Sequence, residues 1–142
     1  MLATRRYSPP VSNANTEILR QVVEAWNARD IERFVALIHP DAELRTMRAQ
    51  LEGKAYRGRD GARQAAADID EDWGELRMEL EEVQVTEDRA FARIRLTGRG
   101  RTSGVDMDVV TGWIFGFREG LVAFARAYSD PEQAREQLGV AT

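Results

Sequence analysis

Residues 105–117 read VDMDVVTGWIFGF. β-Branched and aromatic residues dominate the run, and strand side chains alternate between two faces. Trp113 then shares a face with Val109, Thr111, Phe115 and Phe117, while Asp106 and Asp108 take the other. On the preceding candidate strand, Ile94 and Leu96 fall on the aromatic side, and Arg93 and Arg95 fall with the acids. A hairpin through GRGRTSG (98–104) brings these arginines and acids together. Opposite charges paired across strands contribute roughly 0.2–1 kcal/mol each. The expectation is a charge ladder outside and an apolar wall inside, with Thr111 the only polar group on that wall. The alternative is a bulge that turns Asp108 inward as an acid or base.

Working outward, strands are expected near 76–86, 89–98, 104–117 and 120–129, separated by TED, GRGRTSG and REG. Short loops between them imply antiparallel pairing. On the last strand, Ala123, Ala125 and Ala127 point inward if Val122, Phe124, Arg126 and Tyr128 point out. Upstream, NTEILRQVVEAWNARD starts at Asn15 or Thr16 and spaces Ile18, Leu19, Val22, Val23 and Trp26 as a helix does. DIERFVALI forms a second helix capped by Asp30 and stopped at His39-Pro40. AELRTM alternates like a short strand, GRDGARQAAADIDEDW is a third helix ending near Gly74, and DPEQAREQL closes the chain as a helix. Three helices followed by a curled antiparallel sheet make an α+β architecture with helices on one sheet face.

With 142 residues, this reads as one domain, able to bury roughly 70% of its unfolded surface. A net charge of −4 argues against a nucleic-acid partner. The absence of cysteine removes disulfides, thiolate nucleophiles and zinc–thiolate sites, and one histidine, His39, cannot build a His-rich metal site. Asp68, Asp70, Asp72 and Glu79 stand near calcium-loop spacing, but Trp73 holds the place of the loop glycine, so a solvated acidic helix end is expected. His39 is read as structural, favouring a helix dipole from the end of its helix. No metal and no cofactor are expected. MLATRRYSPPVSNAN has no apolar core of a signal peptide, and no apolar run is long enough for a membrane span. The expectation is a cytoplasmic protein without membrane association, with residues 1–13 a flexible tail before a single domain, 14–142.

The order VVEAWNARDIERFVALIHPDAEL, then YRG with a helix, then FREG and ARAYSD resembles the SnoaL-like branch of the nuclear-transport-factor-2 and ketosteroid-isomerase superfamily, over about residues 15–139. The resemblance implies a cone: a curved antiparallel sheet wrapped around the N-terminal helices, a cystatin-like roll with a deep apolar pocket. It also implies a homodimer through the outer sheet face. Fold alone does not settle activity. Ketosteroid isomerases carry a carboxylate base, a tyrosine and a second acid. By spacing, these positions hold Thr46, Val22 and Trp113. The Asp–Arg–Asp set of limonene-epoxide hydrolases falls on Leu96, Ile94 and Ala127. Neither catalytic set is present.

The expected function is therefore binding of a small hydrophobic molecule, with no catalytic residue assigned. The candidate lining is Trp26, Phe34, Leu44, Thr46, Tyr56, Ile94, Leu96, Thr111, Trp113, Phe115 and Ala127. Large aromatics facing small alanines suggest a flat slot, with Thr46, Thr111 and Tyr56 as polar steering groups. Tyr56 fits a surface position at the rim equally well. Two alternatives stand beside this reading. One is a polyketide-cyclase-like or isomerase-like enzyme using Asp108, Asp41 or Tyr56. The other is a dimeric interaction module with a filled core.

Overall fold

A computed structural model describes the backbone of residues 10–139 and the side chains of 14–139. Most of the expected tail, 1–13, lies outside these residues. The elements run α1 (Pro10–Asn27), α2 (Ile31–Ala36), β1 (Ile38–Arg45), α3 (Met47–Leu51), β2 (Tyr56–Arg57), α4 (Gly58–Asp72), β3 (Trp73–Val85), β4 (Arg89–Gly100), β5 (Asp106–Arg118), β6 (Leu121–Tyr128) and α5 (Pro131–Leu138). The six strands form one sheet in the order β2-β1-β6-β5-β4-β3. Every pairing is antiparallel except β1 with β6, which is parallel. The fold is α+β, as the sequence implied.

The β4–β5 register carries the expected two faces: Ile94 pairs with Thr111 and Leu96 with Val109. On the outer face, Arg95 forks onto Asp108 at 2.8 and 2.7 Å, and Arg99 reaches Asp106 at 3.0 Å. Asp108 thus faces away from the interior. No bulge turns it inward.

Five details depart from the sequence reading. First, α1 begins at Pro10 rather than at Asn15 or Thr16. Second, α2 ends at Ala36, so Ile38, His39 and Pro40 belong to β1. Pro40 has no N–H to give, and it sits where the β1–β6 register breaks between Ile38 and Glu43. His39 is consequently not at a helix end. Its Nδ1 accepts the Asp41 amide at 2.9 Å, which leaves Nε2 to donate to Glu119 at 2.7 Å. Third, AELRTM does not stay extended: the Thr46 hydroxyl oxygen accepts the Ala49 N–H at 3.1 Å and starts α3. Fourth, a bulge places Val122 opposite Phe117 but Phe124 opposite Gly116. One extra residue, Ala123, then turns Val122 inward, while Phe124, Arg126 and Tyr128 stay on the outer face.

The fifth difference is the closing helix. α1, α2 and α4 fill the concave side, but α5 packs on the opposite face, against Phe91 and Ile114 through Ala134. The approach is close at Gly112, where an added Cβ would lie 2.6 Å from Pro131 Cα and 2.7 Å from Ala134 Cβ. Among the described residues, no helix is long and apolar enough to cross a membrane.

The α5 contact yields a test. Gly112→Ala should force the helix off the sheet and cost about 1–3 kcal/mol, the usual penalty of overpacking. Urea denaturation of the variant should show a lower midpoint with an unchanged slope.

Candidate functional site

Helical spacing on α1 puts Leu19, Val22 and Trp26 along one side, facing the concave sheet. Trp26 is fixed there by its indole N–H, which donates to the Leu76 carbonyl at 2.9 Å. Phe34 of α2 meets it edge-to-face, with centroids 5.8 Å apart. Across the interior, β5 presents Trp113 and Phe115, stacked at 5.8 Å and 11°. Between these two aromatic pairs lies a cavity of about 80 Å³. β1 and β6 supply Leu44 and Ala125 to its walls, α4 supplies Ala65 and Ile69, and β3 supplies Met78.

Seven of the eleven residues singled out from the sequence lie on this wall: Trp26, Phe34, Leu44, Thr46, Ile94, Trp113 and Phe115. The other four do not. Thr111 is inward but sits behind the wall, where it accepts the Trp113 indole N–H at 3.0 Å and donates to the Ile94 carbonyl at 2.9 Å. Ala127 is covered within the sheet layer, and Leu96 packs beside Trp26 and Leu76. Tyr56 is buried, not at a surface rim, but it turns from the cavity toward α4. Reading from residues alone did not assign Leu19, Val23, Met78, Leu80 or Val122 to the wall. The helical stripe on α1 and the alternation of Leu76, Met78 and Leu80 carried that signal for all but Val122, which the bulge hid.

The acids and the phenol proposed as catalysts are placed elsewhere. Asp108 is exposed, and its bond to Arg95 holds its carboxyl below the usual range. Asp41 is exposed on β1. Tyr56 donates its hydroxyl to Asp68 Oδ2 at 2.5 Å, and Gln64 donates to the other carboxylate oxygen at 2.8 Å. Burial, then the bond to Asp68, raises the phenol's pKa; the Tyr56 bond lowers that of Asp68. Arg48 of α3 reaches the Asp68 carbonyl at 3.2 Å and Asp72 at 3.0 Å. Asp68, Asp70 and Asp72 therefore lie on helix α4, in hydrogen bonds and ion pairs, and not in a calcium loop. Among the described residues, no group of three or more histidines or acids is arranged to hold a metal ion.

The model of a SnoaL-like domain matches residues 19–125. Among solved structures, a protein from Jannaschia sp. CCS1, described as a candidate SnoaL-like polyketide cyclase, superposes with a TM-score of 0.75 at 20% identity, covering 97% of this chain and 100% of its own. A protein of ketosteroid-isomerase-like fold from Catenulispora acidiphila DSM 44928, in complex with trimethylamine, gives 0.71 at 15% identity, covering 88% of this chain and 94% of its own. TerC, co-crystallized with polyporic acid, gives 0.72 at 19% identity, covering 89% of this chain and 99% of its own. At these identities the likeness is one of fold. Among curated proteins no match is found.

The Tyr56–Asp68 pair gives this site a pH signature. A carboxyl whose pKa is lowered by folding adds stability above its ordinary value near 4, and that stability is lost as pH falls through the folded value. Wild-type stability should drop as pH falls below about 4, and Asp68→Asn should flatten that part of the profile. Tyr56→Phe leaves Asp68 Oδ2 without its donor and should cost roughly 1–3 kcal/mol at neutral pH, read by thermal melts.

Proposed function

The chain belongs to the SnoaL-like domain family, and within it we propose that this protein binds a small hydrophobic molecule in the interior of its cone. One observation carries the reading: the cavity is walled by two aromatic pairs and aliphatic side chains, with no titratable group among them. Proton abstraction needs a base within hydrogen-bond reach of the carbon acid, and the developing oxyanion needs donors. Val22, Thr46 and Trp113, which spacing alone sets at the tyrosine, base and acid positions of an isomerase, line the wall and offer no such groups. Leu96, Ile94 and Ala127 cannot activate water for epoxide opening. Small-molecule complexes of two structural relatives, with trimethylamine and with polyporic acid, agree with a fold that admits guests.

The second reading is a polyketide-cyclase-like enzyme, favoured by the description of the Jannaschia protein. It would require Asp108 or Asp41 to reach the cavity, and Asp108 is tied outside by two bonds to Arg95. A purely structural module with a filled core fits less well, because the two aromatic pairs leave space between them. A cytoplasmic setting is the default of the same proposal; the absence of cysteine does not by itself choose the compartment.

Saturable quenching or a shift of tryptophan emission on adding an apolar ligand tests the binding reading. Trp113→Ala should weaken that binding about tenfold or more, since it removes one side of the stacked pair. Unchanged emission across aromatic, terpenoid and steroid ligands would count against it.

Assembly is a separate element of the proposal. The outer face of β6 presents Arg126 stacked on Tyr128 at 5.0 Å, and both residue types are frequent interface anchors. Beside them on β1, Glu43 bonds to Arg45 of its own strand and to Arg57 of β2, leaving a patch of both charges for a two-fold partner. α5 covers the Phe91–Ile114 part of this face, and Phe124 and Tyr128 pack at the edge of that cluster, so the contact is centred on β1, β2 and the Arg126 side of β6. Sedimentation at tens of micromolar should give a dimer, and Arg126→Glu should yield a 16.1 kDa monomer without disturbing the cluster under α5. A wild-type monomer at that concentration sinks the idea.

A further inference from the structure

We propose that the cavity receives the slender, unbranched end of an aliphatic chain, and that the rest of such a molecule leaves the cone past Ile69 toward the inner edge of β5 at Val109. The inference rests on the binding reading above and narrows its ligand class. It follows from the width that the aromatic side chains impose and from the place where the inner face of β5 meets solvent.

Two aromatic pairs set the width, and neither is free to part. Trp26 is held by its bond to the Leu76 carbonyl at 2.9 Å and by its edge-to-face contact with Phe34. Trp113 lies stacked on Phe115, and its indole N–H donates to Thr111 Oγ1 at 3.0 Å. Thr111 is tied in turn to the Ile94 carbonyl at 2.9 Å. Moving either indole would leave a buried polar group unpaired. The two tryptophans therefore act as fixed apolar plates.

The space between the pairs is about 80 Å³, and its surface is almost wholly apolar. Thr46 stands on the wall, but its hydroxyl oxygen is turned to the Ala49 N–H at 3.1 Å. A polar atom brought between the plates would lose water and find no partner. An engineered cavity of roughly 150 Å³ admits the six carbons of benzene, so about half that volume holds roughly three carbons of a chain. A methyl end followed by methylenes fits such a space. A ring or a quaternary carbon is too wide for it. The remaining wall is aliphatic and softer: Ile69, Met78 and Leu80 are half-buried, and methionine adapts its shape to an irregular guest.

The way out is marked by burial. Ile69 and Met78 belong both to the cavity wall and to the cluster around Trp26 and Leu76, where Leu96 and Met107 pack beside them. In the β4–β5 register Leu96 pairs with Val109 and Gly98 with Met107, so Val109 and Met107 share the inner face with Trp113. Thr111, next to Trp113 on that face, is 6% exposed, whereas Val109 is 44% exposed. The inner face of β5 therefore reaches water at Val109, and apolar side chains bridge that edge and the cavity. A chain longer than the cavity keeps its polar end at this edge and crosses only hydrocarbon on the way in.

The experiment uses the full chain and three eight-carbon alcohols whose ends differ in width: octan-1-ol, 5,5-dimethylhexan-1-ol and 2-cyclohexylethanol. Binding is followed by the resonances of the Trp113 indole N–H and the Met107 methyl. Octan-1-ol should bind saturably and move both. Each wide-ended alcohol should bind at least about tenfold more weakly, because overpacking a fixed interior is costly. Ala65→Leu adds three carbons to the wall from α4 and should weaken octan-1-ol by about tenfold or more, since each methylene displaced is worth about fourfold. Ala125→Val adds two from β6 and serves as a second arm should the leucine variant not fold; thermal melts report folding of both. A wide-ended alcohol that binds as tightly as octan-1-ol overturns this proposal and leaves the binding reading standing. Undiminished binding to a folded Ala65→Leu or Ala125→Val also overturns it. A Met107 methyl that stays still while Trp113 responds overturns the exit at Val109. Octan-1-ol that leaves Trp113 unmoved overturns the whole proposal, and the binding reading falls with it only if the ring compounds named above also leave tryptophan emission unchanged.

Discussion

The interior depends on how α1 is fastened to the edge strand β3. The Asn27 amide donates to the Met78 carbonyl at 2.8 Å and accepts the Met78 N–H at 2.9 Å, so it replaces a missing neighbour strand for one residue. From the adjacent residue, the Trp26 indole N–H donates to the Leu76 carbonyl. Together these three bonds pin the C-terminal end of the helix to alternate residues of the strand. Leucine, valine and tryptophan at helical spacing must then face the sheet rather than solvent, and the stripe becomes a cavity wall. They also occupy backbone groups of β3 that an edge strand would otherwise leave open to pairing.

From that anchor the rest of the site follows by satisfaction of polar groups. A buried donor or acceptor left without a partner costs roughly 1–3 kcal/mol. The protein places its polar atoms so that nearly all face away from the cone's axis. Asp68 accepts from Tyr56 and Gln64 behind α4, Thr111 bridges Trp113 to Ile94 behind β5, and Gln50 donates to the Arg45 and Ala127 carbonyls at 3.0 and 2.8 Å. What remains toward the interior is apolar surface. This suits recognition by shape better than acid–base chemistry, for which a perturbed titratable group in the cleft is the usual mark.

Much of this was legible in the sequence, and the reasons differ by element. β5 was readable because alternation is local: the aromatic face and the acidic face need no knowledge of the rest of the chain. The Arg95–Asp108 pair then followed from the hairpin, but Arg93, expected beside the acids, sits opposite Gly112 and bonds Glu82 and Glu132 instead, and Arg99 takes Asp106. The β1–α3 region was not readable. Thr46 could end a strand or cap a helix, and the choice was made by the Ala49 N–H and by the two carbonyls that Gln50 reaches from other elements. Val122 was misplaced because a one-residue bulge is invisible to a period of two. Tyr56 was ambiguous because its partner, Asp68, lies twelve residues away on a helix whose acids look solvated from sequence alone. The placement of α5 on the outer face depended on Gly112, whose missing side chain makes room for Pro131 and Ala134.

Size sets the remaining limit on what the cone can do. A guest no larger than one aromatic ring buries roughly 150–250 Å². At about 25 cal/mol per Å², that is roughly 4–6 kcal/mol before the cost of immobilising the guest. Immobilising the guest takes back much of this, so a single ring gains little net binding. A cavity of about 80 Å³ is also smaller than the roughly 150 Å³ that admits benzene in an engineered core, so a ring enters only if the walls give. Tighter binding demands a longer molecule whose far end leaves the aromatic plates. The half-buried Ile69, Trp73, Leu96 and Met107 that pack around the Trp26–Leu76 cluster offer the apolar surface for such an extension. Affinity in this fold would then grow with the length of the guest outside the plates, while the plates themselves select by shape.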